Sequence, residues 1–436
     1  MENNNENLKI SNSENSSFFE QKVSSSNGNE DFIPRLNFDK TNRKNWEIIN
    51  FDKLFSFLTN NTLSRKELSE HGEVKNIHYG DILIKYGNCV DVSEDDIPYV
   101  DINAKLTNNI DFLNNGDVII ADTAEDTTAG KAIEIYNIGD AKIVSGLHTF
   151  ACRPNLKFSS KYLGYYMNSS AYHSQLLPIM QGIKVLSISK TNILNTQIMF
   201  PEQKYQNKIA NFLSLIDQRI EKQRQLVESL KKYKRGLISN IFEQKIKLGN
   251  KGNWIEIKLS KILKERKTYC EKDGTYEHAT LSKDGVSAKT ERYERDFLVS
   301  DENKKYKITK FGDICYNPAN LKFGVICLNN YGDAIFSPIY ITFEIDENYN
   351  KEFIGYCLTR NDFINKALKY QQGTVYERMA VSPEDLLSME IIVPKKETQN
   401  KISALLNILE SKLDAESNKL TLLVKMKSSL LQQMFI

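Results

Sequence analysis

The sequence predicts an α+β chain. Two similar mixed α/β domains are separated by two long antiparallel coiled-coil helices, forming a pseudo-two-fold internal repeat. Three observations predict it: a segment that recurs 193 residues later (201 to 394), a seam of apolar residues at a 3.5-residue period after each copy, and paired landmarks upstream of each copy.

The duplicated segment reads Pro201-Glu-Gln-Lys-Tyr-Gln206-Asn-Lys-Ile209 in the first copy and Pro394-Lys-Lys-Glu-Thr-Gln399-Asn-Lys-Ile402 in the second. Repetition at this length implies two similar domains rather than a solenoid. The landmarks extend the repeat. Tyr162-Leu-Gly-Tyr-Tyr-Met pairs with Phe353-Ile-Gly-Tyr-Cys-Leu, and the loop at Gln181-Gly182 pairs with Gln372-Gly373. Asn115-Gly116-Asp117 pairs with Phe311-Gly312-Asp313, each a turn into a buried strand, and each half opens on a tryptophan, Trp46 and Trp254.

The seam in the first helix comprises Ile209, Leu213, Ile216, Ile220, Val227, Leu230, Leu237 and Ile241. In the second it comprises Ile402, Leu406, Leu409, Leu413, Leu420, Leu423, Leu430 and Met434. Alternating steps of three and four are the signature of a coiled-coil interface. Polar residues interrupt both seams at matching places: Gln223 and Lys234, then Glu416 and Lys427. A helix of about 37 residues runs roughly 55 Å at ~1.5 Å per residue. Matched lengths and a short linker favour an antiparallel return of the second helix, placing the C-terminus near the first domain.

These readings set the expected boundaries: a disordered Asn/Ser-rich tail at 1–30, a first domain at 31–200, a helix at 201–246, a second domain at 247–393 and a second helix at 394–436. Gly249-Asn-Lys-Gly252 is the linker between halves.

Composition limits function more than it identifies it. With 58 Lys+Arg against 56 Asp+Glu, the net charge of +2 does not announce a nucleic-acid binder, so such a role must rest on local charge. The segment 201–248 is locally basic, with eleven Lys/Arg against five Asp/Glu. No apolar run reaches the ~20 residues of a membrane span, and no signal-peptide pattern opens the chain, so a cytoplasmic location without membrane partners is expected. Six scattered cysteines without a CxxC pair read as reduced thiols, and no metal site is expected.

Catalytic motifs are missing as well. There is no Gly-rich cofactor loop, Walker A sequence, HExxH or GxSxG. Asn317-Pro-Ala-Asn320 lacks the final aromatic of the adenine-methyltransferase motif and reads as a strand-end turn. Asp122, Glu125 and Asp126 read as an acidic loop rather than as metal ligands.

A globule ending in a strand, then Pro-x-x-x-x-Gln-x-x-Ile and a long amphipathic helix, twice over, resembles the DNA-specificity (S) subunit of type I restriction–modification systems. The resemblance runs from Trp46 to Ile436, and Ala121–Lys131 is similar to a segment of one group of target-recognition domains in that family. It implies a non-catalytic subunit with two target-recognition domains, each reading half of a split, asymmetric site in double-stranded DNA. The helices would set the spacer and dock two modification (methyltransferase) subunits, with restriction subunits completing a hetero-oligomer. S-adenosylmethionine, ATP and Mg would belong to those partners, and this chain would hold no cofactor and no metal of its own. The competing reading is a duplicated coiled-coil scaffold without DNA specificity.

For DNA contact, polar and basic residues in loops beside the repeated landmarks are the candidates: Thr123, Lys131, His148 and Lys184 in the first domain, and Asn317, Asn320, Lys322, Thr374, Tyr376 and Arg378 in the second. Arginine is suited to guanine and asparagine to adenine.

Overall fold

The computed structural model describes residues 36, 46–106, 109–246, 254–272, 274–289, 305–372 and 379–435. The expected tail at 1–30 and the linker at 249–252 lie outside the described residues. The chain divides into two units, Met1–Gln225 with Ser417–Ile436, and Leu226–Glu416. Both mix helix and strand. Among the described residues, no helix is long and apolar enough to cross a membrane.

In the first unit a five-stranded sheet forms from β-branched and aromatic runs, in the order Phe55–Leu58, Thr149–Pro154, Val118–Ala121, Ala132–Tyr136 and Cys89–Asp91. Neighbours are antiparallel except the last pair. Val118, Ile119, Ile120 and Ala121 are all buried, because the strand is covered on both faces. The helices Tyr162–Tyr166 and Ser170–Leu176 cover one face. The other is covered by Ile77 and Ile143 from a second sheet and by Ile82 from the helix Tyr79–Ile84.

The second unit contains a four-stranded sheet in the order Leu263–Glu265, Ile341–Ile345, Ile314–Tyr316 and Ile326–Leu328, all antiparallel. Numbered along the chain, its order is 1-4-2-3. The four antiparallel strands of the first unit's sheet follow the same order once Cys89–Asp91 is set aside. A two-stranded antiparallel pair also closes each globular part: Glu47–Asn50 with Gln197–Phe200, and Ile255–Lys258 with Glu390–Val393.

The two turns paired by sequence are built alike. Gly116 and Gly312 have φ of 90° and 84°, which glycine tolerates best. The following aspartate accepts from the amide three residues back, Asn114 N to Asp117 at 2.7 Å and Lys310 N to Asp313 at 2.9 Å. Both carboxylates are buried against a bidentate arginine, but the arginines come from different strands. Arg153 lies on the strand beside Asp117, whereas Arg266 follows the edge strand Leu263–Glu265. The buried anion is common to both turns and its neutraliser is not.

Entry into each long helix, Gln203–Phe242 and Lys396–Met434, uses the duplicated proline and glutamine. Gln206 Nε2 donates to the Pro201 carbonyl at 2.8 Å, and its Oε1 accepts from Ser159 N at 3.0 Å. Gln399 repeats both bonds, to the Pro394 carbonyl at 2.8 Å and from Asn350 N at 2.9 Å. A buried amide side chain thus satisfies one carbonyl and one N–H that the chain reversal leaves open.

Of the seam residues, Ile209, Leu213, Ile216, Ile220, Val227, Leu237, Ile241, Ile402, Leu406, Leu409 and Met434 are buried. Leu230, Leu413, Leu420, Leu423 and Leu430 are half-buried. Within the first unit, Leu420, Leu423, Leu430 and Met434 join the core that holds Ile209 to Ile220. Within the second, Leu237 and Ile241 join the core that holds Ile402, Leu406 and Leu409.

Two of the polar interruptions are cationic and both are paired. In the first unit Lys427 Nζ lies 2.6 Å from Asp217 and 2.5 Å from Asn88 Oδ1, while Tyr165 OH donates to Asp217 at 2.7 Å. In the second unit Lys234 pairs with Glu410.

Candidate nucleic-acid interface

In the first unit, three loops meet beyond the end of the strand Val118–Ala121. The chain after that strand makes the short strand Thr123–Ala124, which pairs antiparallel with Leu186–Ser187. Asp122 N donates to the His148 carbonyl at 3.2 Å, and Ile188 N donates to the Asp122 carbonyl at 2.8 Å. Residues distant in sequence are thereby fixed side by side.

Two glycines make this arrangement possible. Gly130 has φ +86° and a Cβ there would meet Leu176 Cδ1 at 2.4 Å, while Gly182 has φ +123° and a Cβ would meet the Val185 carbonyl oxygen at 1.9 Å. The second closes a narrow loop between Gln181 and Ser187, which bridge one another. Its tip is Ile183-Lys184-Val185, and Ile183 is 100% exposed.

Of the sequence candidates here, Lys184 is exposed at that tip and His148 is exposed in the turn before Thr149–Pro154. Thr123 is half-buried and its hydroxyl donates to the Leu186 carbonyl at 3.1 Å. Lys131 is engaged inside the fold. Its ammonium donates to the Leu83 and Tyr86 carbonyls at 3.1 and 2.9 Å, the exposed end of the helix Tyr79–Ile84. Burial, with the nearby Lys427 charge, lowers its pKa. It thereby satisfies carbonyls at a helix terminus.

In the second unit, the strand Ile314–Tyr316 runs into a 3₁₀ turn, Pro318–Phe323. Asn317 is buried, and its Oδ1 accepts from Ala319 N at 3.1 Å as the cap of that turn. Asn320 is half-buried on the turn. Lys322 is exposed, with its ammonium 5.0 Å from the Phe323 ring centroid. The turn meets the neighbouring loop through Val381 N, which donates to the Pro318 carbonyl at 3.2 Å. Gln372 and Ala380 bridge at the base of that loop. Thr374, Tyr376 and Arg378 lie outside the described residues.

Sequence reasoning missed Ile183 and Phe323, apolar side chains exposed beside lysines at these tips; Phe323 is 64% exposed. Their only signal was adjacency to a lysine and a loop glycine. Within the acidic loop Asp126 accepts from Thr128 N at 2.9 Å, and Asp122 faces His148. Among the described residues no group of three His, Cys, Asp or Glu is placed to hold a metal ion.

Residues 43–232 match the type I restriction modification DNA specificity domain. In structure the chain is similar to the type I restriction-modification system S subunit from M. genitalium, at 15% identity and a TM-score of 0.54, covering 93% of this chain and 99% of that one. It is also similar to a chain solved in a study of complex assembly and conformational transition of the type I R-M system, at 15% identity and a TM-score of 0.50, covering 88% and 96%. No curated protein matches it by sequence. Residues 43–232 are thus similar to the type I restriction–modification DNA specificity domain, and across nearly its whole length the chain shares the fold of the S subunit it matches.

Proposed function

We infer that the chain is the DNA sequence-specificity subunit of a type I restriction–modification assembly. The match of residues 43–232 to the DNA specificity domain carries this reading. That segment includes the first unit's loop cluster as well as the first helix as far as residue 232, so the scaffold alternative, which needs only the helices, is not favoured.

In the finer reading, each unit bears one target-recognition domain and reads one half of a bipartite, asymmetric site. Support comes from the shared 1-4-2-3 strand order and from the repeated glutamine at each helix entry. The two helices form an antiparallel coiled-coil spacer. Each unit by itself carries one ion pair between the two long helices, Asp217–Lys427 in the first and Lys234–Glu410 in the second, which supports this reading. Half-sites on one face of a duplex are then held about one helical turn apart.

Modification subunits dock on the outward faces of the helices, where Leu215 and Leu422 are exposed in the first unit and Tyr233 and Ile408 in the second. Those partners supply S-adenosylmethionine chemistry on adenine, restriction subunits supply ATP-driven cleavage with Mg, and this chain supplies the address.

The test is to map methylated adenines in cells carrying the chain, then in cells where residues 45–200 are replaced by those of another S subunit. A bipartite asymmetric motif with only one half altered by the replacement is expected. A palindromic or continuous motif would overturn the two-reader reading.

A further inference from the structure

His148 sits in the loop cluster of the first unit with φ 55°, the left-handed region that residues other than glycine adopt sparingly. Such a conformation persists where surrounding structure holds it and is concentrated at functional sites. Here the holder is Asp122, whose backbone N–H donates to the His148 carbonyl at 3.2 Å. The side chains also meet, with His148 Nδ1 3.3 Å from Asp122 Oδ1. That oxygen is buried, and the imidazole is the group in reach for it.

The ring is walled on a second side. Tyr79 packs edge-on against it with centroids 5.4 Å apart, and Tyr79 is backed by His78 at 4.7 Å. His78 is itself anchored, since its Nδ1 accepts from Gly80 N at 3.1 Å and its burial, with the Arg65 charge, disfavours protonation. The His148 side chain nevertheless remains 51% exposed. With Nδ1 turned to a carboxylate, Nε2 is the nitrogen left for a ligand.

We propose that Asp122 is a positioning residue that orients His148, and that His148 Nε2–H donates to an acceptor on a base edge, such as guanine O6 or N7, in the half-site read by the first unit. In this arrangement each ring nitrogen carries a proton, one directed to Asp122 and one to the base. A ring clamped by a carboxylate and a tyrosine loses little freedom on binding and therefore discriminates between bases. The same donor chemistry would suit a phosphate oxygen, but that contact carries no sequence information. This assignment rests on the proposed function above.

The experiment introduces His148→Ala, His148→Gln and Asp122→Asn separately into the full chain in the cell that encodes it, and maps adenine methylation across the genome. His148→Ala should relax one base pair of one half-site, with discrimination there falling about tenfold or more. Asp122→Asn should relax the same base pair less, His148→Gln should retain part of the preference, and the other half-site should stay unchanged. Thermal midpoints of the purified variants verify folding. A uniform fall in methylation with an unaltered motif would assign the histidine to a phosphate or to the scaffold and overturn the proposal, as would no change. Wild-type cells without a bipartite motif would instead sink the specificity function itself, and this pairing with it.

Discussion

Trp46, at the opening of the first globular part, packs edge-on against Phe435 at the end of the second long helix, ring centroids 6.5 Å apart. Tyr162 and Tyr166 complete the cluster at 5.8 and 5.7 Å from Phe435. The second unit repeats the arrangement with Phe242, which lies 6.1 Å from Trp254 and 5.5 Å from Phe353. Each helix ends as an aromatic plug in a globular part. Phe435→Ala should destabilise the first unit by about 3–5 kcal/mol, the range for removing a buried aromatic. Hydrogen exchange of the full chain should lose protection around Tyr162–Tyr166 first. Equal loss in the second unit would refute the separation of the two cores.

The helix-entry glutamines give a paired prediction. Gln206→Ala leaves the Pro201 carbonyl and the buried Ser159 amide without their partner, at a cost of about 1–3 kcal/mol per unsatisfied group. Gln399→Ala should act similarly through Pro394 and Asn350. Denaturant titration measures the loss. Amide exchange at Ser159 and Asn350 localises it, each responding only to its own glutamine.

The buried aspartates differ in how well their arginines are sheltered. Arg266 and Asp313 have side chains 13% and 4% exposed, so Arg266→Met strands a charge in the interior and should cost about 3–5 kcal/mol. Arg153 is more open to water, and Arg153→Met should cost less. Adding Asp313→Asn to Arg266→Met should recover part of the loss. A double variant as unstable as the single would show that the pair acts through shape instead of charge.

Glu134 sets a pH dependence. It is buried in the first unit, where its carboxylate accepts from Lys161 N at 2.5 Å and Gly164 N at 3.0 Å. Burial pushes its pKa up to about 7, and these amides hold back the rise. The unfolded chain loses this proton near ~4.3, so between there and about 7 the folded state binds more protons than the unfolded one. The Glu134 contribution to stability is therefore largest at the low end of that window and declines as pH rises through it, by at most about 4 kcal/mol. Denaturant midpoints of wild type and Glu134→Gln, compared at pH 5 and pH 7.5, should diverge in that direction. A pH-independent difference would contradict it.

The architecture was legible in the sequence because it depends on periodic and repeated features. A seam at a 3.5-residue period can be satisfied only by helices that bury it, and the recurring Pro-x-x-x-x-Gln places each helix start. The turn at Gly116-Asp117 and its counterpart at Gly312-Asp313 could be paired for the same reason, since a positive φ leaves glycine as its mark. Loop residues were harder to read. Lys131 and Asn317 have the chemistry of DNA contacts, yet one closes a helix end and the other caps a turn.

By itself, then, the sequence determined the duplication, the two long helices and the glutamines that begin them, because each is a local or periodic constraint. Only the tertiary structure decided which polar side chains are consumed by the scaffold and which remain outside. It also decided that Asp122 would meet His148, and that the buried aspartates would be neutralised from two different strands. Hydrogen-bond partners in loops come from residues distant in the chain, and no spacing along one strand or helix encodes them.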